Sequence, residues 1–200
     1  MSYEDCNAVG GMTRYNYEAD PKRMAFQAAR YLAVAKILEG EGRVLEVGCA
    51  DGWGARIVRQ HVEFLDAVDV DERAIQFARD NASDRWPIRF MVGDVLWGAF
   101  HGYHAAYALD LYEHFAPEAG FLHRMRGIAP LVVIGTPSLE SQAYASEISK
   151  REHVNCPTKA MLRDAMREYW KHVFVLGMND ATLHMGHDAM THYLIGVGAD

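Results

Sequence analysis

Carboxylates recur where apolar runs of this chain come to an end: Glu46, Asp69, Asp94 and Asp110, with Asp51 close behind the first. Gathered at one edge of a fold, such groups accept hydrogen bonds from ribose hydroxyls and amines and offset a cation. Glu46 and Asp51 flank the turn Gly48-Cys49-Ala50-Asp51-Gly52-Trp53-Gly54, whose glycines allow a bend that side chains would obstruct. Strand, glycine turn and helix start form a unit whose backbone N–H groups approach a nucleotide-like ligand closely. The glycine order narrows the ligand. G-x-G-x-x-G faces a pyrophosphate, whereas this chain reads G-x-x-x-G-x-G between acids that would repel one. They suit instead a ligand bearing an amino group, a sulfonium and ribose hydroxyls. Asp69, followed by Val70, lies about twenty residues past the turn, the offset at which a nucleotide site sets a carboxylate on ribose hydroxyls. A second constellation is Asp110-Leu111-Tyr112-Glu113-His114. Two carboxylates and an imidazole within one turn could bind a divalent metal; the favoured alternative is that Glu113 and His114 start a helix and support the loop.

Alternating strand and helix patterns must carry these groups. Strands are predicted over 44–47, 64–69, 88–92, 103–109, 131–134, 172–176 and 190–197, the fifth apolar enough for burial on both faces. Helices are predicted over 24–38, 53–61, 71–81 and 117–127, with another starting at Asn155-Cys156-Pro157. Asp20-Pro21 opens the first of these, and Asp71 is the natural cap of the third. Such alternation implies a doubly wound α/β fold with helices on both faces and a ligand crevice at the strand tips. Residues 1–20 show no period and read as an irregular arm, whose Tyr15 and Tyr17 either close over a ligand or pack on the domain edge. The connection 177–189, with His184 and His187, is expected to be solvated.

The run Glu46–Gly54 resembles the first motif of the class I S-adenosylmethionine-dependent methyltransferases, which usually carry Gly where this chain has Ala50. The resemblance spans about residues 30–200, and its specific part is 44–114. It implies one domain over 1–200, with an N-terminal arm at 1–23 and an acceptor-side insert at 139–155. It also implies a seven-stranded, mostly parallel sheet whose last strand runs antiparallel. The cofactor would be S-adenosylmethionine, leaving as S-adenosylhomocysteine, set among Glu46, Gly48, Cys49, Ala50, Asp51, Gly52, Gly54, Asp69, Val70, Asp94, Val95 and Asp110. Asp94 matches the family position that bonds the adenine amine, with the Val95 backbone nearby. Asp110 borders the methionine end and the acceptor. The acid-x-x-Glu-His stretch is also similar to that of quinone-biosynthesis O-methyltransferases, where it is associated with a divalent metal.

Composition trims the acceptor. The 200 residues are half apolar and 24% charged, ordinary for one globular domain, and carry a net charge of −7. Nucleic-acid binders present a basic face; here the longest basic stripe, Arg163, Arg167 and Lys171, reads as a solvated helix face. No apolar run approaches the ~20 residues that span a bilayer. Acids near Met1 argue against a secretory signal. Cys6, Cys49 and Cys156 are scattered without a C-x-x-C pair, which fits a reducing cytoplasm. The strand-four exit lacks the Asn/Asp-Pro-Pro-Tyr/Phe of amino-methylating nucleic-acid enzymes, and Cys156-Pro157 reverses the Pro-Cys of cytosine-C5 enzymes. A small-molecule acceptor methylated on oxygen is the first expectation, with nitrogen second and a homodimer left open. Removing a hydroxyl proton calls for a base, and histidine is the default. His153 in the polar insert is preferred, with Asp110 and His114 shaping the donor–acceptor contact. Two other classes stay open: a nicotinamide-dependent oxidoreductase, and a cofactor-binding partner subunit without its own catalysis.

Overall fold

The computed structural model describes residues 10–186 and 188–200; residues 1–9 of the expected arm, Cys6 among them, and His187 lie outside the described residues. Apolar runs punctuated by glycine and acid fold as β1 (Arg43–Val47), β2 (Phe64–Asp69), β3 (Arg89–Val92), β4 (Ala105–Leu109), β5 (Leu131–Pro137), β6 (His172–Asn179), β7 (Thr182–His184) and β8 (Tyr193–Ala199). They make one sheet in the order β3-β2-β1-β4-β5-β8-β6-β7. The first five pair in parallel, and β8 runs antiparallel to both β5 and β6.

Side chains alternate across the sheet with period two. Val44, Leu65, Ala67, Tyr107, Val133 and Ile195 face one apolar layer; Leu45, Val47, Val68, Ala106, Ile134 and Leu194 face the other. Both faces are therefore buried, as a parallel sheet requires. The chain winds outward from β1 to β3, then returns to β4 beside β1, so a crevice opens at the β1/β4 tips where winding reverses.

The helices are α1 (Gly11–Ala19), α2 (Lys22–Ile37), α3 (Ala55–Val58), α4 (Glu72–Asp80), α5 (Phe121–Ile128), α6 (Glu147–Glu152) and α7 (Lys159–Arg167). Asp71 caps α4 as expected, accepting from the N–H groups of Arg73 and Ala74. Asp20 accepts from the Lys22 N–H at 3.1 Å at the head of α2.

Four local expectations need correction. The sheet has eight strands, not seven. The extra strand comes from the connection after β6, which is mostly exposed as expected: it doubles back through Asp180, at φ 51, and pairs as β7, because Asp tolerates the left-handed turn a tight hairpin needs. The arm is helical from Gly11 to Ala19, its short period hidden by Gly10-Gly11 and exposed tyrosines. The helix after the glycine turn spans only Ala55–Val58, and the chain then turns to enter β2. Finally, α7 starts later than Pro157, at Lys159, because Thr158 is the cap and accepts from the Met161 N–H. No helix among the described residues is long and apolar enough to cross a membrane.

Candidate functional site

The glycine turn is held from beneath by β2. Gly48 and Cys49 N–H groups both donate to the Val68 carbonyl, at 2.8 and 3.2 Å. Asp69 accepts from the Ala50 N–H at 2.8 Å and from the Asp71 N–H at 2.9 Å, so its carboxylate fixes the turn. Ala50 sits at φ 46, a left-handed conformation that costs a residue with a side chain about 1–2 kcal/mol. The glycines admit protein side chains as much as any ligand. A Cβ on Gly54 would lie 2.0 Å from the Tyr31 ring, one on Gly52 2.6 Å from Phe90, and one on Gly48 2.9 Å from Leu111.

A cavity of about 250 Å³ opens over the tips of β1, β2 and β3, lined by Gly48, Asp69, Val70, Asp94, Val95 and Leu111 among others. A second, of about 500 Å³, lies on the other flank of Asp69 against Gly11, Ala50, Asp51, Asp71, Arg73 and Phe77. Asp69 thus stands between both. Val70 is exposed at the rim, Val95 is buried at the wall, and Asp94 accepts from the Leu96 N–H at 2.8 Å. Asp51 is bound by Thr13 of α1, whose hydroxyl donates at 2.8 Å and whose N–H donates at 3.2 Å.

Glu46 lines neither cavity. It is buried under α2, where the Tyr31 hydroxyl donates to it at 3.0 Å, while its other oxygen and the Tyr107 hydroxyl have no partner. Burial pushes its carboxyl up to about 7, which the Tyr31 hydrogen bond offsets only in part. Cys49 is buried too, and burial followed by the charge of Glu46 raises its thiol, so it is no nucleophile.

At the β4 exit, Asp110 takes φ 52 and meets three partners that the sequence did not announce. Arg30 Nη1 reaches both carboxylate oxygens at 2.9 Å, and its guanidinium stacks 3.8 Å over the Tyr193 ring. The Asp110 N–H is shared between the Gly135 carbonyl and the Tyr193 hydroxyl, each at 3.1 Å. Arg30 had one legible signal: it occupies the stripe Phe26, Arg30, Val34, Leu38 at four-residue spacing, where Val34 and Leu38 are fully buried.

Just beyond, Glu113, His114 and His153 offer ligand atoms that all lie within 4.8 Å of one another. Glu113 is buried and accepts from the Thr136 hydroxyl at 3.1 Å; burial, then the charge of Asp110, pushes it up to about 8. The two imidazoles meet edge to face at 5.2 Å. His114 Nδ1 lies 3.3 Å from the Glu152 carbonyl, whereas His153 Nδ1 is buried without a partner. Burial and then His114 hold His153 below the ordinary imidazole value. The Val154 and Asn155 N–H groups both donate to the Glu113 carbonyl, tying the end of the insert to the β4 exit. The insert itself folds as a 3-10 turn at Glu140–Tyr144 followed by α6. One carboxylate and two imidazoles, one with an orphaned nitrogen, form a donor set that suits a divalent cation.

Residues 44–129 match the family model described as a methyltransferase domain. No curated protein matches the chain. Among solved structures, it is similar to the methyltransferase domain of bacterial CtHen1-C, at 18% identity over 87% of this chain and 98% of that one, with TM-score 0.71. It is similar to a chain in the complex between the Haloferax volcanii Trm112 methyltransferase activator and the putative methyltransferase, at 18% identity, 100% and 98% coverage and TM-score 0.73. Magnesium protoporphyrin IX methyltransferase from Synechocystis PCC 6803 with bound SAH follows at 14% identity, 96% and 89% coverage and TM-score 0.66. The matched segment, the sheet order and the acid-lined crevice at the parallel strand tips belong together: residues 44–129 carry the match to a methyltransferase domain, and the chain as a whole has the α/β fold of these solved methyltransferases.

Proposed function

We propose that the chain moves the methyl group of S-adenosylmethionine to a hydroxyl of a small-molecule acceptor, in the cytoplasm, with His153 taking the proton. The observation that carries this reading is that Leu111 and Phe115 of the β4 exit line the cavity over Gly48, Asp69 and Asp94, while His114, between them in sequence, meets His153. The cavity of about 250 Å³ suits an adenosyl group, with Asp69 at the ribose and Asp94 and Val95 at the base. A sulfonium methyl is already activated, so the protein's main task is alignment and removal of one proton. Burial keeps His153 neutral at neutral pH and leaves Nδ1 free, as a base requires. Free Cys49 and Cys156 agree with a reducing compartment. The net charge of −7 opposes a nucleic-acid acceptor.

A second reading of the same residues is favoured by their closeness: Glu113, His114 and His153 would hold a divalent cation. When bound, such an ion supplies a Lewis acid that lowers the pKa of an acceptor hydroxyl. In that case Thr136 orients Glu113, and His153 is a ligand instead of a base. The test has two steps. Calorimetry with S-adenosylhomocysteine should show one site per chain, and a labelled-methyl screen of hydroxyl and amine acceptors should yield an oxygen-linked product with the chain alone. Turnover abolished by a chelator and restored by magnesium or manganese selects the cation reading. Turnover only on amines, or only after a second protein is added, would refute the proposal.

A further inference from the structure

The first helix of the chain is anchored through one buried side chain. Among the described residues of α1, Thr13 alone is buried, and Tyr15 and Tyr17 are 59% and 62% exposed. Tyr17 follows Thr13 by one turn on the same face, so that face adds little apolar packing beyond the anchor itself. Thr13 meets Asp51 twice, its hydroxyl donating at 2.8 Å and its N–H at 3.2 Å. The approach is close. A Cβ on Gly10 would stand 2.3 Å from the Asp51 Cβ, so only a bare residue lets the carboxylate seat against the start of the helix. A segment with one buried anchor and otherwise exposed side chains opens more readily than the core beneath it.

The break behind α1 is as local as its anchor. Asp20 and Pro21 alone separate Ala19 from Lys22. Asp20 is extended, at φ −163 and ψ 108, and the proline after it disfavours a helical conformation there, so α1 and α2 stay separate rods. Arg30 and Tyr31 tie α2 to Asp110 and Glu46, so a swing about Asp20-Pro21 moves α1 and leaves α2 in place. What α1 borders is a cavity. Gly11 and Asp51, on the two sides of the contact, both line the cavity of about 500 Å³, and Asp69 lines it together with the cavity assigned above to the adenosyl group. A ligand held at Asp69 therefore adjoins a space with α1 in its wall. We infer that α1 is a hinged lid whose latch is the Thr13–Asp51 contact: it opens about Asp20-Pro21 to admit and release the cofactor, and closes to retain it. This rests on the cofactor reading above.

Two rates measured on the full chain test the lid. Trypsin cleavage after Arg14, whose side chain is exposed, reports how often α1 opens. Surface plasmon resonance reports how fast S-adenosylhomocysteine leaves. In wild type, S-adenosylhomocysteine should slow the cleavage. Thr13→Val keeps the branched shape and loses the hydroxyl; it should speed both cleavage and release roughly tenfold, the loss of about one hydrogen bond to a charged group. Gly10→Ala sets a methyl against Asp51 and should do the same with Thr13 intact, so it carries the test if Thr13→Val does not fold. The melting temperature, set by the sheet, should stay nearly unchanged in both. Faster cleavage with release unchanged would make Thr13 an anchor and nothing more, and overturns the inference. Wild-type cleavage that ignores S-adenosylhomocysteine overturns it too. A wild type that does not bind S-adenosylhomocysteine in calorimetry brings down the cofactor reading first and this inference with it, before any substitution is made. A wild type that binds it, and releases it no more slowly than the variants, loses the lid alone.

Discussion

Replacing Glu46 with Gln isolates a costly buried carboxylate at the centre of the sheet. Its carboxylate is 1% exposed, with one oxygen unpaired, and burial raises its pKa from 4.5 to about 7. The sign follows from proton counts. Between those two values the folded chain holds a proton that the unfolded chain has released, so stability falls as pH rises through this window. Below 4.5 the group costs nothing; above about 7 the full cost is present. At about 1.4 kcal/mol per pH unit, the gap corresponds to roughly 3 kcal/mol. Gln keeps an oxygen for the Tyr31 hydroxyl and has no charge to desolvate. Urea unfolding of both proteins from about pH 5 to about pH 8 should therefore show near-equal stability at the acid end. The variant should gain by about 2–3 kcal/mol at the alkaline end, with the difference levelling above neutrality. A difference that does not change with pH, or a variant less stable at pH 8, would show that Glu46 ionises freely and refute the argument.

Ala50→Gly should relieve the left-handed strain at φ 46. After the entropy that glycine adds to the unfolded chain, the net gain is about 0.5–1 kcal/mol, seen as a rise of about 2–3 °C in Tm; a fall would mean the turn tolerates alanine without strain. Asp69→Ala removes the carboxylate between both cavities and should weaken S-adenosylhomocysteine by ~1.5–3 kcal/mol, roughly ten- to hundredfold in Kd. An unchanged Kd would place the ribose elsewhere. His153→Ala should leave that Kd alone and lower turnover on whichever acceptor the screen yields; turnover equal to wild type would remove His153 from the chemistry.

The sequence made strand tips legible and buried partners illegible, for a physical reason. An apolar run ended by glycine or acid marks both a strand and its exit, which is why β2 spans Phe64–Asp69 as predicted and why Asp69 and Asp94 share one cavity. Glu46 obeys a different rule. It lies opposite Ala67 and Tyr107 within β1, one residue short of the exit, so the pleat turns it under α2 instead of over the edge. His114 and His153 were each singled out, but their approach depends on an insert whose path is fixed by two backbone bonds to the Glu113 carbonyl. Nothing in residue spacing encodes such bonds. Asp51 flanks the glycine turn and lines the second cavity, but its grip by Thr13 is not legible, because the segment around Thr13 shows no clear period.

The partners that spacing does not reveal share one location, and it bears on how the site is built. The acids Glu46, Asp51 and Asp110 all stand within the matched span 44–129, yet each is gripped by a residue before it: Tyr31, Thr13 and Arg30. Arg30 and Tyr31 are consecutive on α2 and reach the adjacent strands β4 and β1. A helix that binds two neighbouring strands through successive side chains sets the separation of their exits, and with it the distance between Gly48 and Asp110. The first two helices thus hold the acids of the matched span in place through Thr13, Arg30 and Tyr31. Cut at residue 44, the chain would keep its glycine turn but leave Glu46 without the Tyr31 hydrogen bond and Asp110 without Arg30. The matched span supplies the acids; the helices before it decide where they point.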